Sequence, residues 1–501
     1  MTVARRYYVI SDLHVGGAYA DPAAPRRERH RGFRMMTRVA ELAGFIRNVA
    51  RQPDVPRAEL VINGDFLDFL AEEAAPVDPN DAPRWKPFRH GKEEALDTFR
   101  ALAARDHDLF AALRELLRAG KGLTVLLGNH DLELSVPDVR AALLEELGPG
   151  RVRFLDDGQA LDLGEVLVEH GNVFDPANVV DHDGLRLFRA LYSRGWRKDL
   201  AKSFRPPAGS RLVAEVMNPI KVDYGFVDLL KPESEPLFSL LLAIEPGYRG
   251  KLDELAVSLA EAARTLVPRR GAPWQLRNVS ATTTGPTAKL SDVAGGAATS
   301  ASALDALLAD TVPDPAVRAS LLGDATGGAA PTEVSGGIRA ALGLLSLLLG
   351  GDHGDLASRI PQVQATLRAL RDDLSFVRTK EEGRYRDAAA WLSSSGPDTK
   401  GYRVVVFGHT HHAKDVDLEE TGARYLNTGT WANLMRFPDA LTSESATHDE
   451  VRAALVAFAR RLQNNELSVE FTPTYVQLDL ADDGTLLDAS VRDYDHAADR
   501  L

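Results

Sequence analysis

The chain reads as an α/β domain interrupted by a large, mainly helical insertion. Strand-like apolar runs alternate with helix-period segments from residue 1 to about 175, give way to helical segments, and return at Arg403 to Phe407. Five short motifs rich in hard metal ligands recur along the chain, four of them directly behind an apolar run, which is where open α/β sheets carry their sites.

The first strand, Tyr7 to Ile10, runs into Asp12-Leu13-His14. A helix from about Arg34 to Val49 leads to the strand Leu60 to Ile62 and to Gly64-Asp65-Phe66-Leu67-Asp68. One long helix is expected from about Lys92 to Leu117, because Leu96, Phe99, Leu102, Phe110, Leu113 and Leu117 recur at helical spacing and Gly120 can cap its end. The strand Leu123 to Leu127 ends in Gly128-Asn129-His130-Asp131, and strand-like segments at Val152 to Leu155 and Val166 to Glu169 lead into His170-Gly171. Residues 176–400 read as a helical insertion or cap. Leu252 to Leu266 and Val363 to Phe376 are helical in pattern, Ile338 to Leu349 reads as a buried helix, and 280–337 is a low-complexity segment rich in Ala, Gly, Ser and Thr. The strand Val404 to Phe407 then ends in Gly408-His409-Thr410-His411. A β candidate at Ala423 to Leu426, a helix carrying Val451, Leu455, Phe458 and Leu462, and strands at Ser468 to Phe471 and Tyr475 to Leu480 complete the chain, with Asp482-Asp483-Gly484 as a turn before Leu486. The expected division is therefore 1–175 plus 401–501 as the catalytic domain, with 176–400 inserted into it.

Composition narrows the function. The 501 residues carry 59 basic against 72 acidic side chains, a net charge of -13, which argues against a sequence-independent grip on nucleic acid, since that grip is neutralisation of phosphate by Lys and Arg. With no cysteine, disulfides, thiolate zinc sites and cysteine nucleophiles are excluded. The first strand begins near Arg6, leaving no room for a secretion signal, and Ile338 to Leu349 is shorter than the roughly 20 residues that cross a bilayer. A cytoplasmic protein without a transmembrane segment is expected.

The motifs supply the donors a pair of dications needs: one bridging carboxylate and a shell of imidazole, amide oxygen and carboxylate. Asp12 and His14 stand two residues apart, as do His409 and His411, so in extended chain each pair would project to one side. Asp65 is the natural bridge, Asn129 offers a neutral amide oxygen, His170 and His409 serve one ion, and His411 joins Asp12 and His14 on the other. Two dications carry +4; two carboxylates and a hydroxide remove three, leaving about +1 to meet a phosphate anion.

In order, DxH, GDxxD, GNHD, H and GHxH, the motifs resemble those of the calcineurin-like metallophosphoesterases. The resemblance covers residues 1 to about 175 and 403 to about 435. It implies a four-layer α/β/β/α sandwich, one metal held by Asp12, His14, Asp65 and His411, and a second held by Asp65, Asn129, His170 and His409. It also implies that His130 donates a proton to the leaving oxygen or stabilises the transition state, that Asp68 orients it, and that a metal-bridging hydroxide attacks in line with no phosphoenzyme. The metals would be two divalent ions, Mn first, with Fe, Zn, Ni or Co also suited to N and O ligands. The expected substrate is a small phosphomonoester, phosphodiester or pyrophosphate, such as a nucleotide-like molecule; the alternatives are a nuclease of the same family and a non-catalytic scaffold. The surroundings of the motifs are also similar to those of the UDP-diacylglucosamine pyrophosphate hydrolases, which however carry Arg where this chain has His130 and lack so long an insertion.

Other residues have plainer readings beside functional ones. Asp131 reads as a cap or a partner of the ligands rather than a ligand, and His412 as pointing away from its neighbours. Arg26, Arg27, Arg29, Arg31, Arg34 and Arg38 form either a solvated helix face or a basic wall beside the metals, with Arg31 and Arg34 as substrate contacts. Asn172 is a further candidate substrate contact, and Asn427 and Thr428 are candidates for ordering the ligands.

Overall fold

The computed structural model describes residues 2–17, 34–53, 56–74, 84–223 and 377–501, apart from 176–177, 197, 199, 398, 436–439, 441–442, 444, 464–468 and 499. The helices expected at 252–266, 338–349 and 363–376, the low-complexity segment 280–337, and Arg26, Arg27, Arg29 and Arg31 lie outside the described residues.

In chain order the strands are β1 (Arg5–Ile10), β2 (Arg57–Asn63), β3 (Gly122–Leu126), β4 (Arg151–Leu155), β5 (Leu161–Asp162), β6 (Val166–Val168), β7 (Val404–Phe407), β8 (Ala413–Leu418), β9 (Ala423–Thr428), β10 (Leu434–Met435), β11 (Val469–Glu470), β12 (Thr474–Leu480) and β13 (Leu486–Asp493). The helices are α1 (Val39–Ala50), α2 (Lys92–Arg105), α3 (His107–Arg118), α4 (Pro137–Leu147), α5 (His182–Tyr192), α6 (Ala208–Leu212), α7 (Asn218–Asp223), α8 (Arg384–Ser393) and α9 (His448–Gln463), with a π-helical turn at Val213–Met217 between α6 and α7. The chain is mixed α/β, built on two mixed sheets. A six-stranded sheet runs β13-β12-β1-β2-β3-β4, parallel from β1 to β4; a five-stranded sheet runs β5-β6-β7-β9-β8, parallel across β6, β7 and β9.

Strand alternation distributes the apolar side chains among three cores. Tyr8, Ile10, Leu60, Ile62 and Val125 face Leu42, Phe45 and Ile46 of α1 and Leu109, Phe110 and Leu113 of α3. Tyr7, Val9, Val61 and Leu126 turn the other way and meet Val166, Val168, Val404, Val406 and Leu426 of the second sheet. Val405, Phe407 and Tyr425 pack on Ala388 and Ala389 of α8. The interior strands β3 and β7 are buried along their whole length, which is why they appear in sequence as near-continuous apolar runs rather than alternating ones, with Thr124 of β3 bonded to Glu59. Val180, Leu185, Phe188 and Phe204 join the first core, so the described start of the 176–400 segment packs on the first sheet's helical side.

Two expectations change. The single helix at 92–117 is two helices, α2 and α3, broken at Asp106 (φ −101°, ψ 35°); the buried Asp106 carboxylate pairs with the Arg34 guanidinium, a tertiary contact that helical spacing does not reveal. The first helix begins at Val39 rather than Arg34. Gly120 (φ +74°) ends α3 as expected, with the Lys121 N–H donating to Leu116 O at 3.2 Å. Among the described residues no helix is long and apolar enough to cross a membrane.

Candidate metal centre

Asp12 and His14 follow β1, Asp65 and Asp68 follow β2, Asn129 and His130 follow β3, His170 follows β6, and His409 and His411 follow β7. All are at the carboxyl ends of parallel strands, and the two sheets bring these ends together. Beyond the strands the loops stay tied. Leu13 and His14 N–H groups donate to Asp65 O (2.9 and 3.0 Å), Gly408 N donates to His170 O (2.9 Å), and the Asn63 amide donates to Glu169 O (2.8 Å).

Five non-glycine residues among those described have positive φ: Asp12 (52°), His14 (45°), Asp65 (49°), His409 (67°) and His411 (64°). Each such conformation costs about 1–3 kcal/mol for a residue with a Cβ and persists only where the surroundings over-determine it, typically at a functional site. Every one is a residue that the motifs mark as a ligand. This corrects the reason expected for their convergence. The pairs do not lie on extended strand ends with side chains projecting alike; β1 and β7 have already ended, and left-handed turns aim each side chain separately.

Of three groups of potential ligand atoms among the described residues, each with its atoms within 4.8 Å of one another, two hold the expected ligands, Asp12, His14 and His411, and Asp65, His170 and His409; the third is His14, Asp68 and His130. In the first, His14 Nε2 and His411 Nε2 are 3.0 Å apart and His411 Nε2 is 3.3 Å from Asp12 Oδ1. In the second, His170 Nε2 is 3.3 Å from Asp65 Oδ2. Atoms bound to one ion at about 2.1 Å with angles of 90–109° would be about 3.0–3.4 Å apart, so these spacings suit a shared cation. Asp65 Oδ2 also lies 3.8 Å from His14 Nε2, so one carboxylate oxygen faces both groups.

Neighbours fix each side chain. The His409 N–H donates to both Asp12 carboxylate oxygens (3.1 and 2.9 Å), and the Ser11 hydroxyl hydrogen-bonds Asp12 Oδ2 and the Thr428 hydroxyl. The His130 N–H donates to Asp65 Oδ1 at 2.9 Å. His170 Nδ1 is 2.8 Å from Asn63 O, which makes it the protonated nitrogen and turns Nε2 toward Asp65. Gly64 and Gly128 are cradles: a Cβ at Gly64 would stand 2.5 Å from His170 Cγ, and one at Gly128 2.5 Å from the Asp65 backbone nitrogen. Asn129 Oδ1 is buried and makes no hydrogen bond among the described residues, as suits a donor oxygen held for a cation.

Electrostatics agree with geometry. Burial alone would raise the Asp65 carboxyl, but the His170 and His130 rings beside it hold it well below the usual carboxylate range. Asp12 is lowered in the same way to about 2, burial being outweighed by His411. Burial would lower His170, yet Asp65 and Asp12 push it up to about 10. Carboxylates that stay ionised deep in the protein beside an imidazole that attracts a positive charge, that of His170, describe a site suited to a cation.

No protein-family model matches the chain, and no curated protein or solved structure matches it.

The remaining expected residues fall on both sides of the site. His130 Nδ1 is 3.2 Å from Asp68 Oδ1, and Asp68 Oδ2 is 3.5 Å from His14 Nδ1, so Asp68 lies between the two imidazoles; it also caps the turn at Phe69–Ala71. Asp131, read as a cap or a partner of the ligands, accepts the Gly128 and Phe66 N–H groups at 2.8 Å each and so binds the β2 and β3 loops together. Asn427 donates to Gly408 O at 2.7 Å, ordering the last motif. Two expected substrate contacts are employed otherwise. The Arg34 side chain is buried, with Nε donating to Met36 O at 2.6 Å and Nη2 paired with Asp106, and Asn172 Nδ2 donates to Asn178 O at 2.9 Å. Sequence reading missed Asp175, whose Oδ2 is 3.1 Å from His409 Nε2, and Ser11. A polar residue five positions past a ligand histidine has no spacing rule that would single it out.

Proposed function

We propose that the protein is a dinuclear-metal phosphoesterase of the calcineurin-like metallophosphoesterase family, acting on a small-molecule phosphomonoester, phosphodiester or pyrophosphate. The observation that carries the reading is the position of Asp65, with one carboxylate oxygen facing both the Asp12–His14–His411 group and the Asp65–His170–His409 group. Asp12, His14, Asp65 and His411 would hold one ion, and Asp65, Asn129, His170 and His409 the other. Two divalent ions so held supply positive charge for phosphoryl oxygens and lower the pKa of water. His130 is 13% exposed at the side chain and held by Asp68, so it can present a proton to a leaving oxygen. The four-layer sandwich is part of the same proposal, supported by one core between the sheets and one on each outer face.

The test is direct. The purified chain, loaded with Mn²⁺, is assayed for metal content and for turnover of a chromogenic phosphomonoester and phosphodiester beside Asp65→Asn. Two metals per chain with turnover lost in Asp65→Asn is the expected result. Absence of bound metal with no turnover favours the scaffold, and single-stranded DNA cleaved well above either ester favours the nuclease.

A further inference from the structure

Between His170 and α5 the Asn178 N–H donates to Asp175 O at 2.8 Å and Asn172 Nδ2 donates to Asn178 O at 2.9 Å. The Asn178 side chain points back at the site. Its Nδ2 donates to Asp175 Oδ2 (2.9 Å), the oxygen that also faces His409 Nε2 (3.1 Å). An ionised carboxylate only accepts, so this bond settles which end of the Asn178 amide is nitrogen and leaves its oxygen to accept from Asn129 Nδ2 at 3.3 Å. That contact in turn settles the Asn129 amide, with Oδ1 as the atom left without a hydrogen bond. At the other end of the chain of contacts, Asp175 engages His409 Nε2, so Nδ1 is the ring nitrogen left for an ion. Arg384 at the start of α8 lies 3.5 Å from Asp175 Oδ1 and holds the carboxylate from its far side.

Resting on the dinuclear reading above, we propose that Asn178 is a positioning residue that orients two ligands of the same ion at once: the amide of Asn129 directly, and the imidazole of His409 through Asp175. Neither contact touches the side chain of Asp12, His14 or His411, so the effect falls mainly on one of the two ions. Partners of this kind typically govern metal affinity by about 10–100-fold.

The experiment titrates metal-free full-length protein with Mn²⁺ by calorimetry and follows the spin-coupled manganese pair by electron paramagnetic resonance. Wild type is expected to take up two ions. Asn178→Ala is expected to keep one at wild-type affinity, to bind the other about 10–100-fold more weakly, and to lose the coupled signal at limiting Mn²⁺. Asp175→Asn, which keeps the side-chain shape, carries the same expectation should Asn178→Ala fail to fold, and His411→Ala should weaken the opposite ion. A merely structural role for Asn178 would weaken both ions alike or neither, and either result overturns the proposal while leaving the dinuclear reading standing. Wild type that binds no Mn²⁺ overturns both.

Discussion

Replacing Gly128 by alanine tests whether the close approach of the β2 and β3 loops builds the site. The added Cβ would lie 2.5 Å from the Asp65 nitrogen and 2.7 Å from its Cγ, with Oδ1 closer still, where real Cβ atoms essentially never approach within 3.0 Å. The overlap of about half an ångström with the backbone nitrogen cannot be relieved by a side-chain rotation alone, because the obstacle includes backbone and because Asp65 Oδ1 is held by the His130 N–H at 2.9 Å. Overpacking of this kind costs about 1–3 kcal/mol, and for a domain of this size each kcal/mol lowers the melting temperature by about 2–4 °C. The functional effect should be larger than the stability effect, since a displacement of about 1 Å at a positioned group costs about 100-fold in rate. Gly120→Ala is the control. It has the left-handed φ of +74° but nothing within 4 Å of the new Cβ, so it should cost only about 1 kcal/mol and leave metal binding untouched. The assay is thermal unfolding with and without Mn²⁺, together with metal content. Gly128→Ala protein that binds two ions at wild-type affinity, with the same Mn²⁺-induced rise in melting temperature, would refute the reasoning.

Other expectations concern proton chemistry and scaffold. His130→Ala should lower turnover by about 100- to 10,000-fold with metal content unchanged; loss of metal instead would make His130 a ligand. Because Asp65 raises His170 to about 10 against burial, metal must displace a proton from it. Mn²⁺ uptake at pH 7 should therefore release protons, measurable as a dependence of calorimetric heat on buffer ionisation, and apparent affinity should rise with pH toward 10. The same shift predicts that in the metal-free protein the stabilisation from this pair is fully present below pH 6.5 and is lost as pH rises through about 10. Arg34→Ala strands the buried Asp106 carboxylate and should cost about 3–5 kcal/mol in denaturant unfolding while leaving the Michaelis constant of a chromogenic ester unchanged; a raised constant at full stability would restore Arg34 as a substrate contact.

Much of this protein is written locally. Near-continuous apolar runs identify β3 and β7 because a strand buried on both faces needs few polar residues, and a hard metal ligand directly after such a run marks a strand end at the candidate site. Nothing local reveals β8 (Ala413–Leu418), whose partner β9 runs antiparallel to it, or the break between α2 and α3, which depends on Arg34 reaching Asp106 from 72 residues away. Asp175 and Asn178 are equally silent, since their meaning lies in the distance to His409 and Asn129.

The residue types of the candidate centre, their order and their attachment to strand ends are properties of the sequence alone, because ligand chemistry resides in side chains and strand burial in apolar runs. Their assembly is not. Only the packing of the second sheet on the first brings His170, His409 and His411 against Asp12 and Asp65, and contacts between loops, such as the Leu13 and His14 N–H groups on Asp65 O, accompany the five left-handed conformations. The ligands meet because tertiary contacts outweigh local backbone preference at each of those five positions.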